Sequence, residues 1–439
     1  MQHLRLKMMN FGWLGAEQLV RLGIGLLVMT LVARKLGPDD FAIYSYILAA
    51  FSIVAPLVRF GTNVTVLREV VRQPDKVWPI VAIALMITVP LALVTSLAVG
   101  GVVLLSDPFD DFDTALILAG SLLLLAVPGD IAIAVLRAQE RVRALALARI
   151  VIAILVAIGT AWFALTDGGL LAFTTLRGSE ALVLALAGFA VLLWKKGAAR
   201  SAPWRSVESL PLLRDGLPLM LTSLFVFGMM RVDQIMLGQA IYQRELGLYS
   251  VAVRVAEVAA FLPVVLFSTL YPAIVRAFTN APSEFDEYSQ RILDVFSLAG
   301  WVASLALAVV AVFLLVPIFG EPYADAVQLT LWLLCATPFI FVQTAISSLL
   351  SARGWVWMSA GIAGAGMALN VVLNLWLIPR YGATGAAWAT LLTYVAIALP
   401  IPLLLQDLRP MGRAVFRAIN PVAAVLRLGG ELKMQWAVR

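Results

Sequence analysis

The chain has 439 residues, 62% of them hydrophobic and 13% charged, with a formal net charge of +6. Soluble domains carry about 25% charged residues, so this composition excludes an ordinary soluble fold and points to a polytopic membrane protein. A single histidine (His3) and a single cysteine (Cys335) rule out histidine-based metal or triad chemistry and an internal disulfide. No cofactor is expected.

A membrane-spanning helix needs about 20 mainly apolar residues. By that rule the chain predicts about twelve spans: 11–33, 41–62, 78–104, 114–136, 145–166, 170–194, 216–239, 246–271, 292–318, 326–350, 355–378 and 383–406. The first follows Arg5 and Lys7 but contains Glu17 and Arg21, which fits an uncleaved span better than a signal peptide. Alternate connections are basic: RLK at the start, Arg68 to Lys76, RAQERVRALALAR (137–149), KKGAARSAPWR (195–205), Arg276 to Arg291, and Arg353. The others (SDPFDDFD, TDGG, GEPYAD) are acidic or neutral. Cations concentrate in cytoplasmic loops, so the chain is expected to be multi-pass in the cell inner (plasma) membrane with both termini cytoplasmic. The same distribution argues against nucleic acid as a partner.

The long basic linker near 195–215 divides six spans from six. The expected domains are 1–200, an N-terminal six-helix lobe, 201–406, a C-terminal six-helix lobe, and 407–439, a basic cytoplasmic tail whose alternating arginines suit an interfacial amphipathic helix. LGPDDFAIYS (36–45) and IYQRELGLYS (241–250) match at a constant offset, as parallel repeats would.

Charges inside spans are costly and normally face a cavity or a partner. Glu17 and Arg21 share a helix face, as do Arg177 and Glu180, and Arg254 and Glu257; these spacings also suit plain ion pairs. Arg231 and Asp233, two residues apart, point to nearly opposite sides and need separate partners. The arginine fork suits pyrophosphate or carboxylate, so Arg231, Arg254, Arg21 and Arg177 are candidate substrate-binding cavity residues. Asp233, Glu257, Glu17 and Glu180 are candidates for ion coupling or ion pairing. Arg59, near the end of the second span, is expected to snorkel to the interface. Asp130, in the helix-breaking PGD of the fourth span, suits a pore residue or a local cap. No nucleotide-binding motif is present, so ATP is not the direct driver.

Three segments carry a family resemblance: ARKLGPDDFAIYSYILAAFSIVAPLVRFG, RVDQIMLGQAIYQRELGLYSVAVRVAEVAAFLPVVLFSTLYPAIVRAF, and NVVLNLWLIPRYGATGAAWATLLTY. Together they resemble the polysaccharide repeat-unit (O-antigen-type) flippases of the multidrug/oligosaccharidyl-lipid/polysaccharide exporter superfamily. The last is the most specific, with Asn370, Asn374, Ile378, Pro379, Gly382, Gly385 and Ala386 forming a turn and a tight helix contact. The resemblance implies an all-α polytopic fold, its two six-helix lobes set around a central cavity. It implies no enzymatic activity but alternating-access movement of polyprenyl-pyrophosphate-linked oligosaccharide to the outer leaflet. Membrane lipid, H+ or Na+ as coupling ion, and polysaccharide assembly machinery are the implied partners. The alternatives are a cation-coupled drug exporter of the same superfamily and, less favoured because the outer loops are short, a membrane-embedded glycan polymerase.

Overall fold

The computed structural model describes residues 2–106, 114–139, 142–194, 209–239, 243–280 and 285–437; within these, the side chains of 2–16, 19, 106, 142–143, 209–213, 268, 272 and 430–437 are not described. The DPFDDFD part of the SDPFDDFD connection (107–113) and the linker at 195–208 therefore lie outside the described residues. Among the described residues there is no strand, and the chain is all-α. It divides into two compact units, Met1–Arg231 and Val232–Arg439.

The first unit holds α1 (Gln2–Arg59), α2 (Thr62–Arg72), α3 (Val77–Ser106), α4 (Thr114–Leu125), α5 (Asp130–Ala138), α6 (Val142–Leu165), α7 (Leu170–Trp194) and most of α8 (Ser209–Gln239). The second holds the end of α8, then α9 (Gln243–Glu257), α10 (Phe261–Asn280), α11 (Phe285–Phe319), α12 (Ala326–Ala352), α13 (Val356–Ala398), α14 (Pro400–Leu404), α15 (Arg409–Ala418) and α16 (Pro421–Ala437).

Among the described residues, ten helical stretches are long and apolar enough to cross a membrane. Two of them contain a glycine outside helical geometry, Gly37 (φ 71°) in α1 and Gly382 (φ 55°) in α13. A straight helix the length of α1 would measure roughly 87 Å, about twice the thickness of a bilayer. At Gly382 the reversal is explicit: a Cβ on Gly385 would lie 2.6 Å from the carbonyl carbon of Leu377, whereas residues eight apart in an unbroken helix are about 12 Å apart. Each of the two stretches therefore contains two crossings, and the twelve expected spans are present.

Helix breaks decide where polar residues can sit. The fourth span opens into a 3₁₀ turn at Val127–Gly129, so Asp130 begins α5 rather than lying inside a long helix. The second span ends at Phe60 and Gly61, both at positive φ. Elsewhere the outward faces are apolar: Leu97, Leu105, Leu155, Ile158, Trp162 and Phe313 are exposed on spanning helices, as a lipid-facing surface requires. Helix contacts rely on small residues, as expected where lipid tails remove the hydrophobic drive for association. Gly178 of α7 packs on the carbonyl of Ala119 in α4, and Gly129 packs on Ala185 of α7.

The C-terminal tail is a helical hairpin fixed to α11. Arg427 makes a two-pronged pair with the buried Asp294 (2.9 and 2.7 Å), Gln290 donates to the carbonyl of Ala414 (3.1 Å), and Trp301 donates to the carbonyl of Ile419 (3.0 Å). Hydrogen bonding to Asp294 raises the Arg427 pKa above its already high ordinary value, so the guanidinium stays charged at any physiological pH.

Candidate functional site

The first unit encloses a polar cavity of about 320 Å³, whose walls carry Arg59, Asn63, Asp130, Arg137, Arg149, Ser223 and Phe227. Five elements build it. The end of α1 supplies Arg59, and the bend at Gly61 turns the chain into α2, which supplies Asn63. A Cβ on Gly61 would sit 2.8 Å from the carbonyl oxygen of Gly216, so a pair of glycines lets α8 close one wall. Asp130 and Arg137, seven residues apart, share a face of the short helix α5. Arg149 comes from α6, and Ser223 and Phe227, four apart, come from α8.

The charges interlock. Arg59 Nε donates to Asp130 Oδ2 at 2.7 Å, with both side chains about one-third exposed (32%). The Arg59 guanidinium also lies 5.9 Å from the centre of the Phe227 ring, within cation–π range. Arg149 faces Oε1 of the buried Glu17 at 3.6 Å, and the same oxygen accepts from Arg21 at 3.2 Å. The Nε of Arg149 is buried with no hydrogen-bond partner among the described residues. Three arginines and one carboxylate thus line the cavity, which is net cationic. Asp130 is a cavity residue, not a cap. Arg59 does not snorkel away from the span but turns inward to Asp130.

Glu17 and Arg21 stand behind this cavity, joined to it through Arg149. Arg177 and Glu180 form an ion pair on α7, and Arg254 and Glu257 form one on α9 (3.2 Å). Arg231 is half-buried on α8. Asp233, two residues further, is buried in the second unit. Its Oδ2 accepts from the Tyr249 and Thr390 hydroxyls, the latter at 3.2 Å, and its Oδ1 accepts from the Gln234 N–H at 2.7 Å. One turn along α13 from Thr390, Thr393 receives a hydrogen bond from Asn370 (3.3 Å), which in turn accepts one from Asn374 (2.9 Å). The Oδ1 of the fully buried Asn374 has no partner among the described residues. The candidates therefore fall in separate places: an arginine-rich cavity in the first unit, a buried acid-and-amide network in the second, and local ion pairs on α7 and α9.

Sequence reasoning passed over Arg137 and Arg149 because both lie in RAQERVRALALAR, which reads as a basic loop. The usable signal was periodicity. The apolar run of α6 begins before Arg149, which places that residue about 10 Å along the helix.

The profile of the family described as "Polysaccharide biosynthesis protein" matches residues 8–278, more than half of the chain. The uncharacterized membrane protein YabM of Bacillus subtilis (strain 168) is 36% identical over 64 residues, 15% of this chain and 12% of that relative's length. Among solved structures, the lipid II flippase MurJ in an inward closed conformation is similar with a TM-score of 0.67 and 14% identity, covering 94% of this chain and 92% of that one. An inward-facing multidrug resistance MATE family transporter of the MOP superfamily gives 0.65 and 16%, covering 90% and 94%. The fold, with its two lobes, is that of these transporters, and the chain belongs to the polysaccharide biosynthesis protein family of multi-pass membrane proteins.

Proposed function

We propose that the protein is a flippase that carries a polyprenyl-pyrophosphate-linked oligosaccharide from the cytoplasmic to the outer leaflet by alternating access, for polysaccharide export. The observation that carries this reading is the cavity of the first unit, where Arg59, Arg137 and Arg149 face one carboxylate, Asp130. A pyrophosphate offers paired anionic oxygens, which arginine forks bind two at a time. The polyprenyl chain would remain in lipid and the sugar would meet the polar walls. Family membership and the fold shared with a lipid II flippase support a lipid-linked substrate.

The basic connections support a sidedness with both termini cytoplasmic in the inner membrane. Arg59 and Arg137 then lie toward the cytoplasmic ends of their spans, where a lipid headgroup is first met. Arg21, Arg177, Arg231 and Arg254 are the candidates for further contacts along the path. Asp233, linked to Tyr249 and Thr390, is the candidate for taking up the coupling ion, H+ or Na+. Glu17 serves as an ion-pair partner. The two six-helix lobes would move against each other, and the polysaccharide assembly machinery would receive the product.

Arg59→Ala and Arg137→Gln each test the reading. Lipid-linked glycan should accumulate on the cytoplasmic side and export should fall at least about tenfold, with protein levels in the membrane unchanged. Full export by both variants overturns it. A second reading, a cation-coupled drug exporter, draws on the buried acid Asp233 and the MATE-like fold. It predicts drug resistance conferred on a sensitive host and lost in Asp233→Asn, with glycan export unaffected.

A further inference from the structure

The hairpin of α15 and α16 runs along α11 rather than away from it. Ala414 is bonded to Gln290, and Ile419 is bonded to Trp301. These two partners are eleven residues apart on α11, on the order of 16 Å of helix. The chain then turns at Asn420, whose side chain accepts from the N–H groups of Val422 and Ala423 (3.1 and 3.2 Å), and returns to Asp294 through Arg427. α11 is long and apolar enough to cross a membrane, and the hairpin lies along its first part, so it is held beside a spanning helix.

The two faces of this hairpin differ. Met411, Val415 and Ala418 are buried in the second unit. On the other side Arg409, Arg413 and Arg417 are exposed at four-residue spacing. Among the described residues none of the three has an ion-pair partner. Beside them on α15 Phe416 (69% exposed), and past the turn on α16 Val422 (66%) and Leu426 (71%), are uncovered. Exposed cations and exposed apolar side chains thus share one hairpin, the pairing that the phosphate and acyl chains of an anionic phospholipid require.

We propose that the exposed face of the C-terminal hairpin is a binding site for an anionic phospholipid, which Arg409, Arg413 and Arg417 hold by its headgroup and Phe416, Val422 and Leu426 hold by its chains. The site is distinct from the cavity of the first unit and does not depend on which lipid is transported. Through Arg427 and Asp294 the bound lipid is attached to α11, so the lipid composition of the bilayer acts on a spanning helix.

Full-length protein taken from bilayers of equal phosphatidylglycerol and phosphatidylcholine, and weighed intact by native mass spectrometry, tests this. The wild-type monomer should retain phosphatidylglycerol in preference to phosphatidylcholine. The triple variant Arg409→Gln, Arg413→Gln, Arg417→Gln should lose that affinity by about a hundredfold, because each cation near an anionic surface contributes comparably. The corresponding triple lysine variant should keep it. If the triple glutamine variant does not fold, Arg413→Gln alone is read the same way, with an expected loss of about fivefold. Equal retention of the two lipids, unchanged retention in the glutamine variants, or a dimer mass in place of bound lipid overturns the proposal.

Discussion

Asp130 competes with any anion that enters the cavity, because its carboxylate already occupies Arg59 at 2.7 Å. Replacing it with asparagine keeps the shape and removes the competing charge. Asp130→Asn should therefore bind the proposed pyrophosphate-linked substrate more tightly, by about tenfold if the released pair is worth the ~1.4 kcal/mol of one decade in affinity, and should release it more slowly. A binding isotherm on purified protein together with single-turnover release measures both. In the second unit Tyr249→Phe removes one donor from buried Asp233. Hydrogen bonds between membrane helices average about 0.6 kcal/mol, so the melting temperature should fall by only a few degrees. At this scale the sequence was readable where charges stood inside apolar runs: Glu17 with Arg21, Arg254 with Glu257, and the divergent Arg231 and Asp233 all showed. It was not readable where a charge sat at the end of a run. Arg59, Arg137 and Arg149 look like interfacial cations until α1, α5 and α6 bring them to one space, and no local spacing records that meeting.

Breaks give the helices their use. Gly382 stands in the turn that the resemblance implied and Gly37 between the first two expected spans, and both take backbone angles that only glycine accepts without strain; the PGD of the fourth span announced a bend because proline cannot continue the hydrogen-bond ladder. Packing between elements was less legible. Gly178 is one of many small residues in an apolar sequence, yet a Cβ there would collide with the Ala119 carbonyl and lie 2.8 Å from the Leu122 Cβ. Gly178→Leu should force α4 and α7 apart and cut the yield of folded protein severalfold, measured by size-exclusion profile and thermal melting, whereas Gly169→Ala, with open space around it, should not. The tail shows the same limit. Its amphipathic pattern could be read, but its attachment could not, because Asp294 is an ordinary residue in the first turns of α11 until Arg427 reaches it.

Over the whole molecule, hydropathy and loop charge were enough to give the helix count, since the bilayer constrains every span alike. The cavity depends on a few contacts between distant stretches and is nearly invisible to periodicity. The arginine-rich cavity and the Asp233 network lie in different units, which separates the groups suited to anion binding from those suited to ion uptake. If that division holds in function, Asp233→Asn should abolish the response of transport to an imposed H+ or Na+ gradient in proteoliposomes while leaving substrate affinity within about twofold. Loss of affinity instead would place Asp233 in the substrate path.

Glu17 is held between Arg21 on its own helix and Arg149 on α6. Positions 17 and 149 therefore act as one pair, although 132 residues separate them. A chain that loses the acid leaves Arg149 facing Arg21 with no carboxylate between them, so a neutral residue at 17 should be tolerated best with a neutral residue at 149. Chimeras that exchange the first helix between relatives should fail unless α6 travels with it.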